Sequence, residues 1–193
     1  MNERINKPEY IIIHHTSGTD TDPLADTSNQ TFEDVNAWHR ISPRVWLGKL
    51  SSLGFAIGYH YYIDKQGKLT QGRADSDEGA HCVGYNLKSI GICMAGNFDR
   101  TLPNFNQTDV LTKLIKEKMK QYNIPLDKVV PHRAFADKTC YGRNLSDVWL
   151  KEILSDKIIS GESCLAEKEI IKSKDSIIEN LKALLRSIIN LKK

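Results

Sequence analysis

Tyr10-Ile11-Ile12-Ile13-His14-His15, together with Val129-Val130-Pro131-His132 and a cysteine, Cys140, eight residues further on, decides how this chain folds. Three successive isoleucines after Tyr10 predict a buried strand that ends in histidine. Val129 and Val130 predict a second, shorter strand with the same ending. A fold that brings both strand ends to the loop at Cys140 assembles two imidazoles and one thiolate. That donor set suits zinc with three protein ligands and one position left open for water, the arrangement of a catalytic rather than a structural site. Strand alternation points His15 to the opposite side from His14. Spacing alone leaves open which of the pair is the ligand.

Around these stretches the chain predicts an α/β unit. The first strand covers Tyr10 to His14, and a Thr-, Asp- and Ser-rich loop follows from Thr16 to Gln30. Thr31, with Asp34 three residues on, is a capping signal for a helix to about Arg40. After an irregular stretch, Ile41 to Phe55, residues Gly58 to Ile63 alternate like a strand. Asp64-Lys65-Gln66-Gly67 turns that strand into another, Lys68 to Gln71. A further strand is expected over Ser89 to Ala95, and a helix over Thr108 to Tyr122 carries Val110, Leu111, Leu114, Ile115 and Met119 at helical spacing. Val129 to Pro131 is the last strand and Leu145 to Leu154 the last helix.

Composition narrows the function classes. The 193 residues suit one domain plus an appendage, with 40% apolar residues for a core. No apolar run approaches the roughly 20 residues that span a bilayer. A net charge of +3, with no basic stripe interleaved with aromatics, argues against a nucleic-acid partner. The polar start from Met1 to Glu9 carries no signal peptide, so cytoplasmic synthesis is expected. The cysteines Cys82, Cys93, Cys140 and Cys164 are too irregular for a disulfide framework, and Cys93 reads as a small core residue.

The character changes near Ser160-Gly161. Residues 1–158 are expected to form the metal-binding domain, 159–166 a linker, and 167–193 an amphipathic helix of about four heptads. Ile170, Ile177, Leu184 and Leu191 recur every seven residues, joined by Leu181 and Ile188, with Ile171, Ile178 and Leu185 beside them. This stripe is wider than a two-stranded seam, and self-association is the expected use. Folding back onto the domain is an alternative. Contact with an anionic membrane surface is another, because seven Lys and Arg face four acids in the segment.

Hydrolysis of an amide at such a zinc needs donors for the oxyanion that forms. Lys138, two residues before Cys140, is placed to project an ammonium toward the metal, and Tyr59, after Gly58, to supply a phenol. The plainer readings are a solvated loop lysine and a half-buried strand aromatic.

These residues also carry a resemblance. Ile11 to Thr16, Ala37-Trp38-His39, Gly58-Tyr59-His60-Tyr61, Gly79 to Asn86, Ser89 to Ile92, Pro131-His132 and Asp137 to Cys140 occur in the order found in the type 2 N-acetylmuramoyl-L-alanine amidases. That family includes phage lysozyme-amidases and peptidoglycan recognition proteins. The resemblance spans roughly residues 9 to 155. It implies a central mixed β-sheet flanked by helices and one zinc ion per chain, held by His14, His132 and Cys140. It implies Tyr59 and Lys138 as catalytic groups and peptidoglycan as the polymer bound and cut. His81, Tyr85 and Asn86 fall in a block that resembles a groove lining, although a structural role suits Asn86 equally. The segment between His39 and Gly58, with Pro43, Trp46 and Leu47, is longer than the compact phage pattern, and the helical tail is an addition.

Three functions compete: a phage endolysin that reaches the wall once released from the host cytoplasm, a cytoplasmic amidase recycling soluble muropeptides, and a peptidoglycan-binding protein without catalysis. Receptors on this fold typically lack the cysteine ligand, so Cys140 favours an enzyme.

Overall fold

The computed structural model describes residues 7–41 and 49–155. Ile11, Ile12 and Ile13 are fully buried in a strand, β1 (Tyr10–His15). A strand with apolar side chains on both faces belongs inside a sheet covered on both sides. β1 is accordingly flanked by two parallel neighbours, β4 (Ser89–Met94) and β5 (Val129–Pro131). β2 (Tyr61–Ile63) pairs parallel with β4, and β3 (Leu69–Gln71) pairs antiparallel with β2 across the Asp64–Gly67 turn. The order is β3-β2-β4-β1-β5, so the expected mixed central sheet is present.

Helices cover both faces. From α1 (Phe32–Ile41), Phe32 and Val35 pack with Tyr62, Cys93 and Ala95. Thr31 and Asp34 close the cap at its start, Asp34 accepting from the Thr31 amide at 2.9 Å and the Asp34 amide donating back to the Thr31 hydroxyl at 3.1 Å. On the other face, Lys118 of α2 (Phe105–Tyr122) lies over the ring of Tyr61. That helix starts three residues earlier than the periodicity predicts. Asn104 and Gln107 form a reciprocal capping box, which the apolar spacing from Val110 onward does not reveal. Its last turn ends at Asn123 in the left-handed region, φ 57°.

Two elements are shorter than expected. Gly58-Tyr59-His60 bends rather than extends: the Gly58 amide leaves the sheet to donate to His39 Nδ1 at 2.8 Å, and the chain rejoins β4 only at His60, whose amide donates to the Gly91 carbonyl at 2.9 Å. The last helix, α3 (Trp149–Leu154), begins after turns at Leu145 and Trp149 that bond to Gly142 and Ser146. The expected linker 159–166, the amphipathic helix 167–193, and Pro43, Trp46 and Leu47 lie outside the described residues. No helix among the described residues is long and apolar enough to cross a membrane.

Candidate metal centre

Parallel pairing of β1 with β5 sets Pro131 opposite Ile13, so the next residues, His14 and His132, emerge side by side at the carboxyl ends of adjacent strands. Crevices at such strand ends are where open α/β sheets bind ligands. The two imidazole rings are 4.5 Å apart. Cys140 Sγ approaches His14 Nδ1 to 3.7 Å, close to the ~3.6 Å edge of a tetrahedron built from ordinary Zn–N and Zn–S bonds. Ligand atoms of His14, His132 and Cys140 all lie within 4.8 Å of one another, so the donor set fits a single ion.

The loop carrying Cys140 is fastened at several points. The Arg133 amide donates to the Cys140 carbonyl at 2.6 Å. Asp99 accepts from the Thr139 hydroxyl and from the Arg143 amide, each at 2.7 Å. The Arg133 guanidinium donates to the carbonyls of Gly142 at 2.9 Å and Leu145 at 2.7 Å.

Electrostatics favour neutral donors. Burial pushes His14 well below the usual imidazole range, helped by the neighbouring His81, His132, His15 and Lys138. Burial, then Lys138, lowers His132 to about 4. Both rings therefore keep a free lone pair at neutral pH. Burial raises the Cys140 thiol to about 12, although the His15 amide and Lys138 oppose the rise. A bound cation would reverse that balance and expel the thiol proton.

Above the triad runs a groove of about 670 Å³. Tyr59, Lys138 and His81 line it with the three ligands. Tyr59 sits with its ring 5.0 Å from that of His14. Burial, then Cys93 and Cys140, pushes its phenol well up, so the hydroxyl stays protonated and able to donate. The bend that carries Tyr59 is tied to α1, where Asn36 Oδ1 accepts from the amides of Ala56 at 2.7 Å and Ile57 at 3.1 Å. The buried Arg73 donates to the carbonyls of Ile57, Glu78 and Lys49 at 2.7, 3.0 and 2.9 Å. Lys138 is exposed at the lip. His15 faces away: its Nδ1 accepts from the Phe98 amide at 2.9 Å and its ring stacks on Phe98.

Of the other two residues in the His81 block, Tyr85 lies outside the groove and Asn86 takes the structural role of its two alternatives. Tyr85 stacks on Phe135 with centroids 3.7 Å apart, beneath the Lys88 ammonium, and is not among the groove-lining residues. Asn86 Oδ1 accepts from the amides of His81 at 2.9 Å and Cys82 at 2.8 Å, closing the loop that carries His81. The opposite wall, with Asp34, Val35 and Trp38, comes from α1, which the Thr31–Asp34 capping signal predicted as a helix and the block Ala37-Trp38-His39 linked to the family.

A mixed sheet that presents a His-His-Cys group, able to hold a metal ion, to a groove at its strand ends defines the class of this protein. A family model described as N-acetylmuramoyl-L-alanine amidase matches residues 4–143, and the chain belongs to that family. Peptidoglycan-recognition protein SC2 of Drosophila melanogaster is 29% identical over 142 residues, 72% of this chain and 71% of the fly protein. The endolysin of Klebsiella phage KP32 is 29% identical over 126 residues, 63% of this chain and 76% of the phage protein. Among solved structures, the endolysin N-acetylmuramoyl-L-alanine amidase LysCS from Clostridium intestinale superposes with a TM-score of 0.60 at 25% identity, covering 80% of this chain and 91% of that one. Wild-type Drosophila PGRP-LB superposes with a TM-score of 0.59 at 26% identity, covering 80% and 84%.

Proposed function

We propose that this protein is a zinc-dependent peptidoglycan amidase that hydrolyses the bond between N-acetylmuramic acid and the L-alanine of the stem peptide, and that it serves as a phage endolysin. The observation that carries the reading is Cys140 Sγ at 3.7 Å from His14 Nδ1, with His132 beside them, at the floor of a groove that also holds Tyr59 and Lys138. His14, His132 and Cys140 would hold the ion. When bound, zinc supplies a Lewis acid and lowers the pKa of a water at its open position.

The chain's own groups do the rest. Tyr59, kept protonated by its surroundings, donates to the oxyanion that develops on the scissile carbonyl. Lys138 brings positive charge to the same oxygen and a proton toward the departing amine. Walls from α1 and the loop after β1 orient the glycan and peptide on either side. The wall is reached after release from the host cytoplasm, and self-association through residues 167–193 would raise avidity for a polymer.

Incubating the purified protein with isolated peptidoglycan, with and without a zinc chelator, tests this. Mass spectrometry should find stem peptides with a new L-alanine amine and glycan with an intact lactyl group, only without chelator. Wall that is bound but uncut would favour the binding-protein reading, and cleavage confined to soluble muropeptides would favour the recycling enzyme.

A further inference from the structure

His14 has two ring nitrogens, and only one faces the metal group. Nδ1 looks toward Cys140, while Nε2 lies 3.0 Å from His81 Nδ1, inside the protein. The bond on one imidazole nitrogen decides whether the other offers a lone pair. The usual partner is a carboxylate or a carbonyl, both pure acceptors. A histidine can donate or accept, so its own tautomer must be set by something else.

Ser89 does this. Its hydroxyl donates to the Tyr85 carbonyl at 2.7 Å, so toward His81 Nε2, at 3.4 Å, Ser89 Oγ is left to accept. His81 Nε2 then carries the proton, and in a neutral ring Nδ1 carries the lone pair. His14 Nε2–H donates to that lone pair, which leaves His14 Nδ1 free of hydrogen and aimed at the ligand group. The residues around His81 are cut to hold this ring. A Cβ on Gly91 or on Gly79 would stand 2.5 Å from His81 Cδ2, so neither position has room for a side chain. Asn86 fixes the backbone at His81 from the other side. His81 and Ser89 are both buried.

We propose that His81 and Ser89 are positioning residues, forming a relay from the Tyr85 carbonyl to His14 that selects His14 Nδ1 as the metal-binding atom. The relay rests on the zinc reading for its purpose, but the proton positions it dictates exist without metal. Nitrogen-15 NMR of the histidine rings should place the proton of His14 on Nε2 in both metal-free and zinc-loaded protein, and that of His81 on Nε2. In chelator competition, His81→Leu should weaken zinc binding about 10- to 100-fold, the range for loss of such a partner. His81→Gln keeps an acceptor for His14 and a donor for Ser89, so it should recover most of that loss. Ser89→Ala should cost several-fold and scramble the His81 tautomer.

A proton on His14 Nδ1 in the metal-free protein, or His81→Gln as defective as His81→Leu at equal thermal stability, overturns the relay. Should His81→Leu fail to fold, the wild-type proton positions and Ser89→Ala decide the question. Wild-type protein that binds no zinc overturns the proposed function instead, and the metal-free spectrum still judges the relay.

Discussion

The two faces of the sheet each bury a polar cluster, and the clusters are opposites. On the α2 face, Lys118 meets Asp75 at 2.9 Å, with side chains only 7% and 14% exposed. Tyr61 and Tyr122 donate to the same carboxylate at 2.7 and 2.8 Å. Burial works against the Asp75 charge, yet these bonds hold the carboxyl below its usual range. Lys118 is likewise opposed by burial and held well up by Tyr61, Asp75 and Glu117. Each charge there is compensated from within. On the α1 face, His14 and His132 are pushed down and Cys140 up, so burial drives all three groups neutral. Their donor atoms converge with no protein charge between them. A cluster that completes itself is scaffold; one that converges without completing itself is built for a guest.

Removing one member from each cluster should separate these roles, and the largest effect belongs to the triad. Cys140→Ser should lose zinc and reduce peptidoglycan cleavage to the chelator-treated level while the circular dichroism spectrum stays native. Full activity without zinc in that variant would erase the contrast between the faces. Next, Tyr59→Phe should lower kcat by roughly 100- to 1,000-fold, the cost of one oxyanion donor, with zinc affinity unchanged. A change in KM alone would make the phenol a binding group. Lys118→Met should destabilise the fold by about 3 kcal/mol, near the lower end for a broken buried pair because two tyrosine hydroxyls remain on Asp75. Denaturant unfolding measures this, and activity per folded molecule should not move.

The smallest effect, a difference of about fourfold in the rise of zinc affinity between pH 6 and 9, is the most diagnostic of burial. Because the metal-free thiol titrates near 12, zinc entry must expel one proton throughout the neutral range. Zinc affinity should therefore rise about tenfold per pH unit from pH 6 to 9. An unperturbed thiol would flatten that rise above about pH 8.5. Competition titrations across the range distinguish the two.

Much of this was legible in the chain because the deciding residues lie at strand ends. Ile11 to Ile13 and Val129-Val130 are β-branched runs that suit strands, and the full burial of the three isoleucines fits a strand inside a parallel sheet with β5 at its edge. His14, His132 and Cys140 then had one edge at which to meet. His81 was harder. Sequence placed it in a groove-like block, but nothing in a linear chain relates it to a ring 67 positions earlier. The glycines at 79 and 91 were the available clue, since each leaves space that only the folded chain shows to be filled by His81. Tyr85 and Asn86 shared that block and serve packing and loop closure, because motif membership does not tell an inward side chain from an outward one. The start of α2 was missed for a local reason: a capping box made of Asn and Gln stands outside the apolar period.

The fastening of the loop between His132 and Cys140 has a practical corollary. Arg133 and Asp99 hold it by bonds that involve no ion, so the chain itself sets the spacing of the ligands. Such a socket should survive being emptied and refilled, unlike small domains that melt when stripped of metal. Cobalt(II) placed in it would make the centre visible: the energies of its d–d bands report coordination number, and the sulfur-to-metal charge-transfer band reports the thiolate. The protein would then carry its own spectroscopic probe at the floor of the groove.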